Sequence, residues 1–182
     1  MKKIAVLFSG AGSNFKYLLD NLHNKDLKII VAITNNPKAD GISFAKEFNI
    51  PLYIIDSKLF KNREDFDKKV VDKLKEYTLD LTVLAGFMRI LTPIFTDNIK
   101  AINLHPSLLP RHKGIKAIER SYEDSYENGG VSVHWVTNEL DGGEIILQKK
   151  INKSNLSFKE YEDKIKVIEK IALAEGIRKA LS

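Results

Sequence analysis

The stretch Ile4-Ala5-Val6-Leu7-Phe8-Ser9-Gly10-Ala11-Gly12-Ser13-Asn14-Phe15 decides the fold class. Its first part, Ile4 to Phe8, is an unbroken apolar run of the kind found in a strand buried on both faces. The glycines then break the run, and Phe15, Leu18, Leu19 and Leu22 recur at the spacing of one helix face. A strand that passes through a glycine turn into a helix is the opening of a βαβ unit. Ile29 to Thr34, Leu52 to Ile55 and Leu81 to Ala85 repeat the short apolar pattern, and Phe66, Val70, Leu74 and Tyr77 mark a helix face after Asn62. That alternation predicts an α/β protein with an open, mostly parallel twisted sheet and helices on both faces.

The second half changes character. Ala101 to Leu104 reads as another strand, followed by a loop to Gly114 and a helical stretch from Ile115 to about Ser125. Val131 to Val136 alternates, and Glu144 to Ile151 follows after Asp141-Gly142-Gly143, which predicts antiparallel strands toward the C-terminal end. Phe158, Tyr161, Ile165, Ile168, Ala172 and Ile177 mark a long closing helix. No repeat or linker interrupts the 182 residues, so a single domain is expected, with a phosphate-binding half over about 1–100 and a catalytic half over about 101–182.

Composition excludes several classes. The 43% hydrophobic and 29% charged fractions are those of an ordinary globular chain and rule out collagen-like or disordered readings. The absence of cysteine removes disulfides, thiolate metal sites and a cysteine nucleophile, and a cytoplasmic location is expected. No stretch approaches the roughly 20 apolar residues of a membrane helix, and the run after Met1-Lys2-Lys3 is too short for a signal peptide, so no membrane partner is expected. The net charge of +5 suits anionic ligands, but the basic residues are interspersed with acids, which argues against nucleic acid.

In an open α/β sheet the chemistry lies in the loops that follow the strands. Ser9 to Asn14 offers main-chain N–H groups at a helix start, an anion site. A dinucleotide fingerprint would need a glycine where Phe15 stands and an acid where Asn35-Asn36 stand, so a single phosphate is the better guest. The plain alternative is a strand-to-helix turn capped by Ser13 or Asn14.

Asn103 and His105, two apart on a strand, share a face and can stabilise an oxyanion together; equally, His105 can be a hydrogen-bonded structural residue. Asp141, set among glycines, can pair with His105 and favour the imidazolium, or can be the corner of an Asp-Gly turn. His112, among Arg111 and Lys113, and His23, at a helix end, are expected to be solvated, and His134 to be a hydrogen-bonded core histidine. No metal-ligand spacing and no nucleophile elbow occur, so a metal-free, non-covalent mechanism is expected.

Four segments, Phe8 to Asn14, Ala85 to Leu91, Asn103 to Pro110 and Glu139 to Gly143, closely resemble the phosphoribosylglycinamide formyltransferases, a family dependent on 10-formyltetrahydrofolate. The match is collinear over nearly the whole chain. The resemblance implies a Rossmann-like formyltransferase fold and transfer of a formyl group from 10-formyltetrahydrofolate to the amine of glycinamide ribonucleotide. It implies that Asn103, His105 and Asp141 are catalytic, and that Gly12, Ser13 and Asn14 hold the substrate phosphate. Lys166, Val167, Ile168 and Glu169 would lie toward the glycinamide. Arg63, Met88, Arg89, Ile90, Leu91, Thr137, Asn138, Glu139 and Leu140, with Asn103 and Asp141, would line the folate site. A monomer or weak homodimer is expected.

The sequence departs from the family at Lys113, Lys116 and Lys170, and at Glu123-Asp124, where relatives usually have glycine. A transfer-RNA formyltransferase would need an added C-terminal domain, and the deformylase a different residue at Pro106. Another folate-dependent formyltransferase, a deformylase, or a non-catalytic phosphate- or folate-binding module remain the alternatives.

Overall fold

A computed structural model describes all 182 residues. The strands are β1 (Lys2–Phe8), β2 (Leu27–Thr34), β3 (Leu52–Ile54), β4 (Leu81–Leu84), β5 (Ala101–His105), β6 (Asn128–Trp135) and β7 (Ile145–Asn152). The helices are α1 (Ser13–Asn21), α2 (Ile42–Glu47), α3 (Arg63–Leu74), α4 (Pro93–Thr96), α5 (Ala117–Glu123) and α6 (Phe158–Leu181). The strands form one mostly parallel sheet in the order β3-β2-β1-β4-β5-β6-β7, antiparallel toward its C-terminal end and flanked by helices. The chain divides into two compact units, Met1–Ile102 and Asn103–Ala180.

In the first unit β1 runs parallel to both β2 and β4, with Val6 opposite Ala32 on one side and Val83 on the other. Ile4 to Phe8 are wholly buried, which is why the run carries no polar alternation. The ring of Phe15 in α1 stacks on Phe8 with centroids 5.1 Å apart, so the helix is pinned to the strand that leads into it. Asn62 caps α3 by accepting from the Asp65 N–H at 2.8 Å, and Glu64 and Asp65 complement the helix dipole. Two short helices, α2 and α4, lie where no periodic pattern was legible.

In the second unit β6 and β7 pair antiparallel, with Ser132 opposite Gln148. Ser157 and Glu160 form a reciprocal capping box at the start of α6. The buried Tyr161 of α6 hydrogen-bonds Ser121 of α5 at 2.8 Å. A Cβ added at Gly176 would lie 2.6 Å from Val133, so α6 packs against β6 at glycine distance. The α5 helix is shorter than the sequence suggests, because Lys116 takes a left-handed conformation and starts it late. Likewise β6 ends at Trp135, before Val136.

Candidate functional site

In the second unit, β5 delivers Asn103 and His105, β6 delivers His134, and the loop after β6 delivers Asp141. His105, His134 and Asp141 are all buried. Nδ1 of His134 faces its neighbour's carbonyl, that of Trp135, at 2.9 Å, and a carbonyl can only accept, so this nitrogen carries the proton. Burial pushes the His134 imidazole below its ordinary value, outweighing the carbonyl bond and the attraction of Asp141, and keeps the ring neutral. Its Nε2 is therefore an acceptor and takes the Nδ2–H of Asn103 at 3.2 Å. That contact orients the amide of Asn103 and leaves one N–H and the carbonyl oxygen for a ligand.

The carboxylate of Asp141 is shared. Oδ2 lies 3.5 Å from Nδ1 of His105 and accepts the Gly114 N–H at 2.9 Å, while Oδ1 lies 3.7 Å from Nε2 of His134. The other nitrogen of His105, Nε2, donates to the main-chain carbonyl of His112 at 2.8 Å. The loop 106–114 is thus tied to both His105 and Asp141, which gives the segment around Gly114 a definite conformation. Ser132 holds the start of this loop: its hydroxyl donates to the Ser107 carbonyl at 2.7 Å and accepts from the Leu109 N–H at 3.0 Å. An amide donor, an imidazole with a carboxylate at one nitrogen, and little solvent form a group suited to a developing oxyanion.

His112 is not the solvated residue its basic neighbours suggest. Its Nε2 lies 2.6 Å from Oδ2 of Asp124, a partner twelve residues on. Asp124 also accepts from Lys153 at 2.5 Å on Oδ1. Burial of Asp124 opposes its charge, but the bonds from Lys153 and His112 outweigh it and hold the carboxyl below its usual range. His23 is likewise not free in solvent: its Nδ1 accepts the Ile29 N–H at 3.0 Å, and burial pushes the ring below its ordinary value.

The first unit carries the glycine loop. Gly12 stands before α1 with φ of 73°, and a Cβ there would come within 2.7 Å of the Gly41 Cα, so only glycine fits. Neither Ser13 nor Asn14 caps the helix, and Oδ1 of Asn14 is buried without a hydrogen-bond partner. Ser9 gathers the surrounding loops: its hydroxyl donates to Asn35 Oδ1 at 2.6 Å and accepts the Met88 N–H at 2.8 Å, and its carbonyl accepts from Asn36 Nδ2 at 3.1 Å. Where a dinucleotide site would carry a ribose-binding acid, two amides fasten the first loop.

In the same unit Met88 and Ile90 are exposed apolar side chains, and the Arg89 guanidinium lies 4.8 Å over the Phe66 ring with a buried Nε that has no partner. Leu91 is half-buried and Arg63 exposed at the start of α3. Asp67, fully buried, accepts from the Thr92 N–H at 2.6 Å and its hydroxyl at 2.7 Å, and so anchors the far end of this loop. Burial pushes the Asp67 carboxyl up against the pull of these bonds and of Arg89.

In the second unit Thr137, Asn138, Glu139 and Leu140 form an exposed loop, in which Glu139 pairs with Lys113 at 3.0 Å. Lys166, Val167, Ile168 and Glu169 lie along α6, with Lys166 3.5 Å from Glu162. The structure therefore brings Asn103, His105 and Asp141 together through His134. Arg63 stands at the start of α3, and Lys166 to Glu169 follow one another along α6. His112, Asp124 and Ser132 were missed by sequence reasoning; the signal for Ser132 was its place beside His134 on an alternating strand.

Residues 2–177 match the Formyl transferase family. The chain is 43% identical over 155 residues to a phosphoribosylglycinamide formyltransferase of Haemophilus influenzae, covering 83% of this chain and 73% of that protein. It is 39% identical over 152 residues to the phosphoribosylglycinamide formyltransferase of Escherichia coli, covering 81% and 72%. The crystal structure of phosphoribosylglycinamide formyltransferase from Campylobacter jejuni superposes with a TM-score of 0.97 at 52% identity, over 100% of this chain and 98% of that one.

Proposed function

The chain belongs to the formyl transferase family, and on that premise we propose how its own residues carry the reaction. It transfers the formyl group of 10-formyltetrahydrofolate to the amine of 5'-phosphoribosylglycinamide, yielding formylglycinamide ribonucleotide and tetrahydrofolate in purine biosynthesis. Asn103, His105 and Asp141 are the catalytic residues of this reading. The observation that carries it is the oriented amide of Asn103, whose Nδ2 is fixed 3.2 Å from His134 with a second N–H unused.

As the amine nitrogen bonds to the formyl carbon, the carbonyl oxygen becomes an oxyanion. The spare N–H of Asn103 and the positive charge of His105 stabilise it. Asp141 faces Nδ1 of His105 at 3.5 Å, a separation at which it supports the charged ring as a counter-ion. The carboxylate then takes the proton leaving the amine and returns it, through water, to the folate nitrogen as the carbon–nitrogen bond breaks. The charges balance, and no metal or covalent enzyme intermediate is needed.

The co-substrate fits the residues assigned to it. Within the first unit, Met88 and Ile90 are exposed apolar side chains suited to a flat heteroaromatic ring, and Leu140 is an exposed apolar side chain of the second. Arg63, Arg89, Leu91, Thr137, Asn138 and Glu139 complete that assignment. Gly12, Ser13 and Asn14 take the substrate phosphate, supported by the left-handed Gly12 and the unpartnered Asn14. Lys166, Val167, Ile168 and Glu169 are assigned to the glycinamide side.

One formyltransferase domain over 1–182 is the unit of function. A monomer or weak homodimer is the assembly of this reading. A cytoplasmic location is supported by the lack of cysteine, and no helix is long and apolar enough to cross a membrane.

The test is a formyl-transfer assay following tetrahydrofolate release, with Asn103→Ala, His105→Ala and Asp141→Asn beside the parent chain. Loss of each of these groups is expected to reduce turnover by about a hundredfold or more. Folded variants with parent-like turnover would refute the assignment.

A further inference from the structure

We propose that His112 and Asp124 are a positioning pair for His105, holding the His112 carbonyl on its Nε2 and so setting which ring nitrogen carries the proton. The proposal rests on the reading of His105 as a catalytic residue.

The carbonyl of His112 lies 2.8 Å from Nε2 of His105. A carbonyl offers only lone pairs, so the neutral ring is held as its Nε2–H tautomer. Nδ1 then faces Asp141 at 3.5 Å and is the nitrogen free to gain a proton. Without the carbonyl, a neutral His105 would turn its single proton toward the carboxylate, and Asp141 would be engaged with a neutral ring. The position of one main-chain oxygen therefore decides the proton arrangement of the neutral pair, and in the charged ring the same oxygen accepts the Nε2–H and keeps Nδ1 turned to Asp141.

That oxygen is not placed by regular secondary structure. His112 sits in an irregular loop with φ of 57°, a left-handed conformation that is unfavourable for a residue with a Cβ. The flanking carbonyls of Arg111 and Lys113 accept from Ser107 and Arg120, and the side chain of His112 itself is bonded at 2.6 Å to Asp124, which fixes the residue between them. Asp124 is in turn fixed at the end of α5: its Oδ1 accepts from Lys153 at 2.5 Å and from the Tyr126 N–H at 3.0 Å, and Arg111 lies 3.8 Å from Oδ2. Lys153 is buried and also donates to the carbonyls of Ser121, Tyr122 and Asp124. An anchored carboxylate thus clamps an imidazole whose own backbone oxygen touches the catalytic ring.

The test compares His112→Ala, which removes the donor, with His112→Gln, whose amide can donate to Asp124 from a similar reach. Both keep a Cβ, so the backbone strain at this position is the same. Two readouts are taken on the full chain: steady-state kinetics, and 15N NMR of the His105 ring on the alkaline side of its titration.

The expected result for His112→Ala is loss of the Nε2–H signature and a fall in kcat of roughly tenfold or more, with KM for both substrates within about twofold. His112→Gln restores most of both. An unchanged His105 spectrum, an unchanged kcat, a loss confined to KM, or no rescue by glutamine overturns the proposal.

Should the alanine variant not fold, Asp124→Asn is read the same way: it weakens the clamp and is expected to give a partial loss of the signature and of kcat, and parent-like values in both overturn the proposal. His105→Ala with parent turnover would instead refute the underlying reading of His105, whatever the spectrum shows.

Discussion

Nε2 of His134 and Nδ2 of Asn103 stand 3.2 Å apart, and because the other ring nitrogen donates to the Trp135 carbonyl, the contact defines which way the Asn103 amide points. An amide flipped by half a turn would offer its carbonyl, not its N–H, to a forming oxyanion. Asn103→Asp, isosteric but without the N–H groups, is therefore expected to reduce turnover by about 2.7–4 kcal/mol of barrier, as loss of one oxyanion donor does. Single-turnover kinetics measure this directly. Retention of parent turnover in a variant with no N–H to give would show that the amide is not the donor.

Acid stability should report on His134 and His23. Burial pushes both imidazoles below their ordinary value, so in the window beneath about pH 6.5 the unfolded chain binds more protons than the folded one. Their contribution is complete above that pH and is lost progressively as pH falls toward the lowered folded values. Urea denaturation at pH 7 and pH 5.5 should show a smaller difference in His134→Gln than in the parent. An identical difference would mean that His134 titrates as freely in the folded chain as in the unfolded one.

Thr92 supplies both hydrogen bonds that Asp67 Oδ2 receives inside the first unit. Thr92→Val keeps the shape and the N–H but removes the hydroxyl from a buried carboxylate, with an expected loss of about 1–3 kcal/mol at neutral pH. Thr92→Ser should recover most of it. Since burial already holds Asp67 up, losing a donor pushes it further, and the deficit should shrink in acid as the carboxyl takes its proton. Denaturation midpoints at two pH values distinguish this from a simple packing loss, which would not depend on pH.

Gly12→Ala combines a left-handed φ of 73° with a Cβ 2.7 Å from the Gly41 Cα. The loop must shift, and the phosphate reading predicts a rise in KM for the ribonucleotide of about tenfold with KM for the folate nearly unchanged. Inorganic phosphate should compete with the ribonucleotide in the parent and more weakly in the variant. Equal damage to both KM values would point to global disruption of the unit.

The parallel sheet was legible because Ile4–Phe8 and Leu81–Leu84 are buried and show it as short apolar runs, unbroken in the first and interrupted only by Thr82 in the second. The glycine turn was legible for a similar local reason: positive φ and close approach demand glycine at Gly12 whatever surrounds it. The helices α2 and α4 were not legible, being too short to repeat a hydrophobic face over two turns. The pairing of His105 with Asp141 could be suggested from chemistry, but its geometry depends on a loop closure that no spacing encodes. His112 misled because sequence neighbours are not spatial partners: Arg111 and Lys113 flank it, while the residue that holds it is Asp124, beyond α5.

The hydroxyl of Ser9 has a consequence for how the first unit moves. One oxygen donates to the segment after β2 and receives from the segment after β4, while its own main chain belongs to the segment after β1. Three connections that are far apart in the chain share a single fastener, so none of them can open alone without breaking a bond of another. Their fluctuations are therefore coupled as one cooperative opening, and amide exchange at Met88 will keep pace with the glycine loop rather than with its own neighbours. A ligand that quiets one of these segments lowers the entropic penalty of ordering the others.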